Sequence, residues 1–578
     1  KLTCDIECFS LKFYKAGIGT ISFAWNEHEG IGFTCDYKET EPREIELYDE
    51  KDKEYKLCTV YGEQQDNQEV KQLIKKFLIN YQGTIIYHNG NFDMKVLIYE
   101  LWMKDLADYR GMHEGISILG SKFEDTKVIA YLATNNTVKN DLKLKNLAQP
   151  FAGNYAQDDE DIKNILRIPL ADLLTYNLVD CLSTWYVYNT YLPKMIQDKQ
   201  LDVYTEVFKP SVILLLQVEL VGMPIDPGKV QEAKKHLTSI VNEHNDYLQN
   251  SYIIKEFHYQ QLLARVAADN LKLKKKIRVI EDLAHIKFNP NSDDQLQRLI
   301  YDHLGYPVID TTDSGAPAVG AKTLEKLINH SKSEDHTMIF KSLIGLSKAN
   351  KIVTSFIPAF ESAVVLPDGT YRLYGSFNLG GTQSGRLSSS NPNMQQIPSG
   401  STYSKIIKEC FISCNGWLFC GADFSALEAK IGAILPNDPS KVKIYAMLYD
   451  SHSYHAYAYY KQYMPDIIDT VESINSISKK YPKYRKNSKA PTFAFQYAGT
   501  WLTVHNNTGL PQELCKHLEA KFKELYKVSI DWINGVLDQA HKDGYIECAF
   551  GLRLRTPILA KTPLSKRLNY KAEAERRS

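Results

Sequence analysis

The chain has 578 residues, 44% hydrophobic and 24% charged, and its 69 basic residues balance 69 acidic ones. At about 150 residues per domain this length predicts roughly four units, and the zero net charge gives no overall sign of a nucleic-acid partner. Apolar runs such as Val212 to Leu216 fall far short of the ~20 residues of a membrane span, and the N-terminus opens on a strand-like segment without a signal-peptide pattern, so a soluble, cytoplasmic protein is expected.

In chain order, Thr3 to Cys8, Gly19 to Trp25 and Thr84 to Tyr87 read as strands and Leu173 to Leu192 as a long helix, an alternating α/β third. A boundary falls near Gln200, where a mainly helical stretch begins; Pro224, within Val221-Gly-Met-Pro-Ile-Asp226, interrupts it. The helical, charged pattern runs on to about Val365 and carries the basic run Lys272, Lys274, Lys275, Lys276 and Arg278. Strand-like segments return at Tyr371 to Leu379 and at Trp417 to Phe424, and the remainder is helical up to Tyr545 to Ala549. A second basic cluster, Lys479 to Lys489, lies in that last helical region. Such clusters can neutralise phosphates while acidic sites elsewhere balance the total. The ten cysteines show no zinc-ligand spacing and are expected to be reduced and mostly buried.

Three acidic elements stand out early. Asp5-Ile-Glu7 places two carboxylates on one strand face. His88-Asn89-Gly-Asn91-Phe92-Asp93 puts Asp93 just after a strand, at a helix start. Tyr176-Asn-Leu-Val-Asp180 sets a phenol and a carboxylate four residues apart on one helix face. In this order they resemble the DEDD exonucleases, in the branch that contains a tyrosine. The resemblance implies that Asp5, Glu7, Asp93 and Asp180 hold two Mg²⁺ or Mn²⁺ ions for phosphodiester hydrolysis, that Tyr176 orients the attacking water, and that Asn89 steadies the neighbourhood.

The most specific string is Gly385-Arg386-Leu-Ser-Ser-Ser-Asn-Pro-Asn393-Met-Gln395-Gln396-Ile-Pro398. It resembles the signature of family A DNA polymerases (bacteriophage-type, DNA polymerase I-like) that lies along the primer–template minor groove. Arg386, Asn393, Gln395 and Gln396 would then contact DNA without reading its sequence. Asp423-Phe-Ser-Ala-Leu-Glu428-Ala-Lys430 resembles motif A, with Asp423 as a metal ligand and Glu428 as the gate that excludes a 2′-hydroxyl. Lys430 stands where the family usually has Arg, and Ala426 where it often has Gln or Gly. Arg485, Lys489, Phe493 and Tyr497 advance about 40° per step along one slowly turning helix face, and their string resembles motif B. By that resemblance Arg485 and Lys489 grip the triphosphate, Lys489 is also a candidate acid for the leaving pyrophosphate, Phe493 lies against sugar and base, and Tyr497 stacks near the template base and against Glu428. Pro491 within this helix predicts a kink, and Ala498 stands where the family commonly has Gly. His452, in Asp450-Ser-His452, would join the triphosphate site, and Phe288-Asn-Pro-Asn-Ser292 resembles a thumb signature beside Lys274, Lys275 and Lys276, the expected duplex grip.

The resemblance therefore implies a ribonuclease H-like exonuclease domain (1–200), a lead into the palm (201–230), a thumb (231–365), palm with motif A (366–440), fingers with motif B (441–540) and a return towards the palm (541–578). The second palm carboxylate of the family is not found before Ser578, and the sequence is expected to be a trimmed form of a longer polymerase. The implied activity is primer extension with dNTPs on a primer–template by a monomer, with 3′–5′ proofreading, in phage replication inside a host cytoplasm; a processivity partner is not specified. Two other readings stay open: an exonuclease with a degenerate, DNA-binding polymerase-like half, and a non-catalytic replisome scaffold.

Overall fold

The computed structural model describes residues 1–49, 54–155, 164–272, 277–312, 314–331, 333–398 and 403–562. Strand β1 (Leu2–Glu7) turns Cys4 and Ile6 into the core and presents Asp5 and Glu7 on its other side, as the two-residue period of a strand requires. It is the middle of a five-stranded sheet. β2 (Thr20–Ala24) runs antiparallel beside β1, with Asp5 opposite Ser22 and Glu7 opposite Thr20. β3 (Gly30–Thr34) runs antiparallel to β2. β4 (Tyr37–Asp49) and β5 (Glu54–Gln64) leave the sheet as a separate two-stranded ribbon. β6 (Ile85–Tyr87) then lies parallel to β1, and β7 (Phe123–Asp125) parallel to β6, giving the order β3-β2-β1-β6-β7.

Parallel neighbours need crossovers. Here they are α1 (Gln68–Asn80), α2 (Gly90–Trp102) and α3 (Tyr109–Gly120), while α4 (Thr126–Thr134) follows β7 directly. The helix expected from Leu173 to Leu192 extends further, as α5 (Leu170–Gln197), and passes through Pro193. Its buried face, Leu173, Asn177, Asp180, Cys181, Thr184 and Val187, repeats every three to four residues and packs over β1, β2, β3 and α4. β3 and the β4–β5 ribbon were not anticipated. The ribbon alternates charged with apolar residues and is largely exposed, so it carries little of the apolar signal from which a strand is read.

Beyond α6 (Lys209–Val221), β8 (Met223–Ile225), β9 (Val364–Val365) and β10 (Tyr371–Leu373) form a small antiparallel sheet with β10 central. β11 (Ser376–Asn378) pairs with β12 (Ser388–Ser390), with Phe377 opposite Ser389. The strand expected over Tyr371 to Leu379 is thus divided at Tyr374-Gly375. Helices Pro227–Asn250 and Glu334–Lys351 pack together, and separate apolar clusters centre on Leu299 and Phe340, on Leu237 and Ile357, and on Tyr459 and Phe522. β13 (Tyr545–Glu547) and β14 (Arg553–Arg555) close the described chain as a hairpin.

The strand expected from Trp417 to Phe424 does not form. Leu418 and Phe424 are 93% and 76% exposed, and no neighbour among the described residues accepts a ladder from this segment. Apolar character favours a strand, but a strand exists only when paired. Lys274, Lys275 and Lys276 lie outside the described residues. The charge of Arg278 is taken by Asp269. All ten cysteines are free; five are buried, three half-buried, and Cys420 and Cys548 exposed, so the expected burial holds for half of them. No described helix is long and apolar enough to cross a membrane.

Candidate functional site

Asp5 and Glu7 from β1 meet Asp180 from α5, and one carboxylate oxygen of each lies within 4.8 Å of the others. Among the described residues this is the only group of three or more potential metal ligands. Burial, reinforced by the charges of Asp180, Asp93 and Glu7, pushes the Asp5 carboxyl up. Burial and the Asp180 charge raise Glu7 to about 8, against the opposing pull of Lys145. Asp93 occupies the first turn of α2, where a helix favours an anion. Burial raises it to about 8 although amides of Asp93 itself and Ile6 support its charge. It stands outside the 4.8 Å grouping of the trio, against the expectation that it ligates with them, although its charge is felt by Asp5 and Glu7.

The sequence reading missed four residues here. Asn177 Nδ2 donates to Asp5 Oδ2 at 2.7 Å, while its Oδ1 accepts from Ser22 Oγ at 2.7 Å and Thr20 Oγ1 at 3.1 Å. Its position three residues before Asp180, on the same helix face, was the available signal. Tyr155 donates its hydroxyl to Asp180 Oδ1, and its ring lies 6.0 Å from that of Tyr176. Lys145 Nζ sits 4.1 Å from the centre of the Tyr176 ring. Buried Asp125 accepts from the amides of Asn89 (3.2 Å), Gly90 (3.0 Å) and Lys127 (2.9 Å), tying the starts of α2 and α4 together behind the site. Asn89 itself, left-handed at φ 63°, accepts from Lys127 Nζ at 2.9 Å.

A second constellation gathers from three distant segments. Glu428, on helix Leu427–Ile434, pairs with Arg386 and accepts the Tyr497 hydroxyl at 2.7 Å. That hydroxyl, and then the Arg386 charge, hold the Glu428 carboxyl below its ordinary range. Helix Pro482–Gln496 runs through Pro491 without ending and carries Arg485, Lys489 and Phe493. Arg485 is engaged by Asp450 in a two-pronged pair, at 2.6 and 2.9 Å, and so is not a free cation. His452 lies 6.2 Å from the Phe493 ring, its Nδ1 is buried without a partner, and burial together with Lys489 and Arg485 lowers its pKa.

Asp423 belongs to the unpaired segment and is exposed; no group of three potential ligands forms around it among the described residues. Asn393 accepts the Gln395 amide at 3.2 Å as the cap of a single turn containing Gln395 and Gln396, which leaves both glutamines exposed. Ala426 and Ala498, two of the departures from the expected motifs, both adopt left-handed backbone, at φ 52° and 58°.

Comparison with known proteins bears on these segments. The family described as DNA polymerase family A matches residues 258–578, more than half of the chain. The chain is 28% identical over 468 residues to the thermostable DNA polymerase I of Thermus aquaticus, covering 79% of the chain and 47% of that protein. It is 26% identical over 393 residues to the DNA polymerase of Escherichia phage T5, covering 64% and 40%. The chain thus spans about half the length of the curated relatives it matches. Among solved structures, the POL domain of Pol1 from M. smegmatis, in complex with DNA primer-template and dNTP, superposes with a TM-score of 0.67 at 17% identity, over 100% of this chain and 81% of that one. With the family match running over more than half of its length, the chain belongs to DNA polymerase family A.

Proposed function

We propose that this chain serves template-directed DNA synthesis with 3′–5′ proofreading, extending a primer with dNTPs at the Asp423 face and trimming it at the Asp5 face. The observation that carries the reading is the meeting of Arg386, Glu428 and Tyr497, drawn from three segments far apart in sequence. Glu428 is the gate against a 2′-hydroxyl, Tyr497 holds it, and Lys489, His452 and Phe493 line the nucleotide's path. Arg485 reaches a triphosphate only by leaving Asp450. In palm, thumb and fingers terms, the division at 200, 230, 365, 440 and 540 stands as part of this proposal, as does a phage replication role.

The sheet order and the carboxylates of β1 and α5 support a ribonuclease H-like nuclease domain. Asp5, Glu7 and Asp180 are hard oxygen donors whose mutual repulsion Lys145 and Asn177 relieve only in part, and they suit Mg²⁺ or Mn²⁺, with Asp93 beside them and two ions per site by family resemblance. A divalent cation held there supplies charge neutralisation and acidifies water. The protein's own groups do the rest: Tyr176 orients water, Asn177 fixes Asp5, and Lys145 places a cation over the Tyr176 ring.

One observation favours a second reading, a nuclease with a DNA-binding, polymerase-like platform: no ligand group forms at Asp423 among the described residues. A 5′-labelled primer–template with Mg²⁺, with and without dNTPs, separates the two. Extension by the chain that vanishes in Asp423→Ala, with trimming that vanishes in Asp5→Ala, supports the first. Trimming without any extension supports the second, and neither activity refutes both.

A further inference from the structure

Glu219 has no part in the sites described, yet it is a buried carboxylate that gathers partners from two other elements. It lies on α6, beyond the boundary near Gln200. Its Oε1 accepts from Asn91 Nδ2 at 3.0 Å and from the Phe377 amide of β11 at 2.6 Å. Its Oε2 pairs with Lys95, which is buried as well. Asn91 Oδ1 is buried without a hydrogen-bond partner among the described residues, so the bond to Glu219 is what orients that amide.

Asn91 and Lys95 stand four residues apart on α2 and share one face of it. Asp93, two residues from each, lies about 200° round the helix from either, on the opposite side. Glu219 therefore bears on the back of the turn whose front carries Asp93. Asp125, by accepting the Asn89 and Gly90 amides, fixes the end of that helix but has no hold on the Asn91 and Lys95 face. Lys127 adds a parallel tie, from Asn89 Oδ1 at 2.9 Å to Asn378 Oδ1 at 2.7 Å. Two neighbouring residues of β11 are thus joined to the start of α2, and β11 pairs with β12 shortly after Arg386. A buried ion pair is a weak source of stability, since apolar residues of like volume often serve as well. What it adds here is direction, because its bonds close at one rotation of the helix.

We propose that Glu219 is a positioning residue for Asp93: through Lys95 and Asn91 it fixes the rotation of the first turn of α2, with β11 as its anchor. This rests on the nuclease reading, in which Asp93 serves a divalent cation together with Asp5, Glu7 and Asp180. Glu219 itself touches neither cation nor strand and acts only through α2. The carboxylates of residues 1–200 are then set in part by α6 and β11, which lie beyond that boundary.

The test uses the full chain. K95M/E219Q removes both charges together, so that no buried charge is left uncompensated, and keeps a side-chain oxygen for the Phe377 amide. N91A/K95M/E219Q removes the second arm as well. Two readouts are taken at a temperature where circular dichroism shows each variant folded: trimming of 5′-labelled dT12 against Mg²⁺ concentration, and calorimetric titration with Mn²⁺ alone, without DNA. Groups one step behind a metal ligand change affinity or activity by about 10- to 100-fold. The triple variant is expected to lose a factor in that range in both trimming kcat and Mn²⁺ affinity, with the KM for dT12 unchanged and the double variant in between. Variants that melt earlier but trim and bind Mn²⁺ as wild type does overturn the proposal, as does a loss confined to KM. If D5A trims as fast as wild type, the nuclease reading falls instead. The Mn²⁺ titration then decides the positioning by itself: the same loss of affinity supports it, and an unchanged affinity overturns it.

Discussion

Replacing Glu7 by Gln tests whether the carboxylate trio is built for a cation. Burial and the Asp180 charge raise the Glu7 carboxyl from 4.5 to about 8, which at about 1.4 kcal/mol per tenfold is roughly 5 kcal/mol. The folded state therefore holds a proton that the unfolded state has released between those two values. Stability is greatest below about pH 4.5 on this account and declines as pH rises towards 8. Part of the relief passes to Asp5 and Asp180, which lose a charged neighbour as well. In EDTA at pH 8.5 the variant is expected to be more stable than wild type by about 2–5 kcal/mol, with the gap closing by pH 5. Mg²⁺ should raise the wild-type melting temperature more at pH 8.5 than at pH 6, and move the variant far less. Denaturant melts at both pH values, with and without Mg²⁺, read this directly. A variant no more stable than wild type at pH 8.5 without metal, or equal stabilisation of both by Mg²⁺, would refute the reasoning.

Ala498→Gly should stabilise the chain by about 0.5–1 kcal/mol in denaturant melts, because an L-residue in left-handed backbone pays a steric cost that glycine does not. Glu219→Gln should cost about 3–5 kcal/mol by the same measurement: Glu219 is 1% exposed and accepts from Lys95, Asn91 and the Phe377 amide, so neutralising it leaves a buried lysine uncompensated. His455, buried against the Tyr526 hydroxyl at 2.6 Å, is lowered to about 4. The unfolded chain therefore binds its proton first, and stability should fall by up to about 3 kcal/mol as pH drops from 6.5 to 4, a slope that His455→Gln flattens.

Motifs carried by local geometry were legible in the sequence. Asp5 and Glu7 share a face because a strand alternates, and Tyr176 and Asp180 share one because a helix repeats; Asn177 on that helix was overlooked. Partnerships across the chain were not. Nothing near Arg485 in sequence signals Asp450, which lies 35 positions away and neutralises it. Lys145 and Tyr155 reach the carboxylates from a stretch with no regular period to betray it. Trp417 to Phe424 shows the converse: its residues favour a strand, yet pairing is a property of two segments, and the described fold offers this one no partner.

The two constellations also differ in how their charges stand before any ligand arrives. At the carboxylate trio burial and mutual repulsion disfavour charge and Lys145 offsets only part of that, so a cation held there would relieve an existing cost. At the other face the charges are already matched, Arg386 and Tyr497 to Glu428 and Arg485 to Asp450. On the proposed synthesis reading, a triphosphate that recruits Arg485 draws it from Asp450 and gains only the difference between two pairs. Exchange of that kind favours a ligand that engages several groups at once, because Lys489 and His452 make no ion pair among the described residues and would add to what Arg485 regains. On that reading a full nucleotide, which also offers Phe493 a sugar and base, gains more than a free phosphate does. On that reading the matched pairs act against partial ligands, whereas the unmatched trio favours a cation.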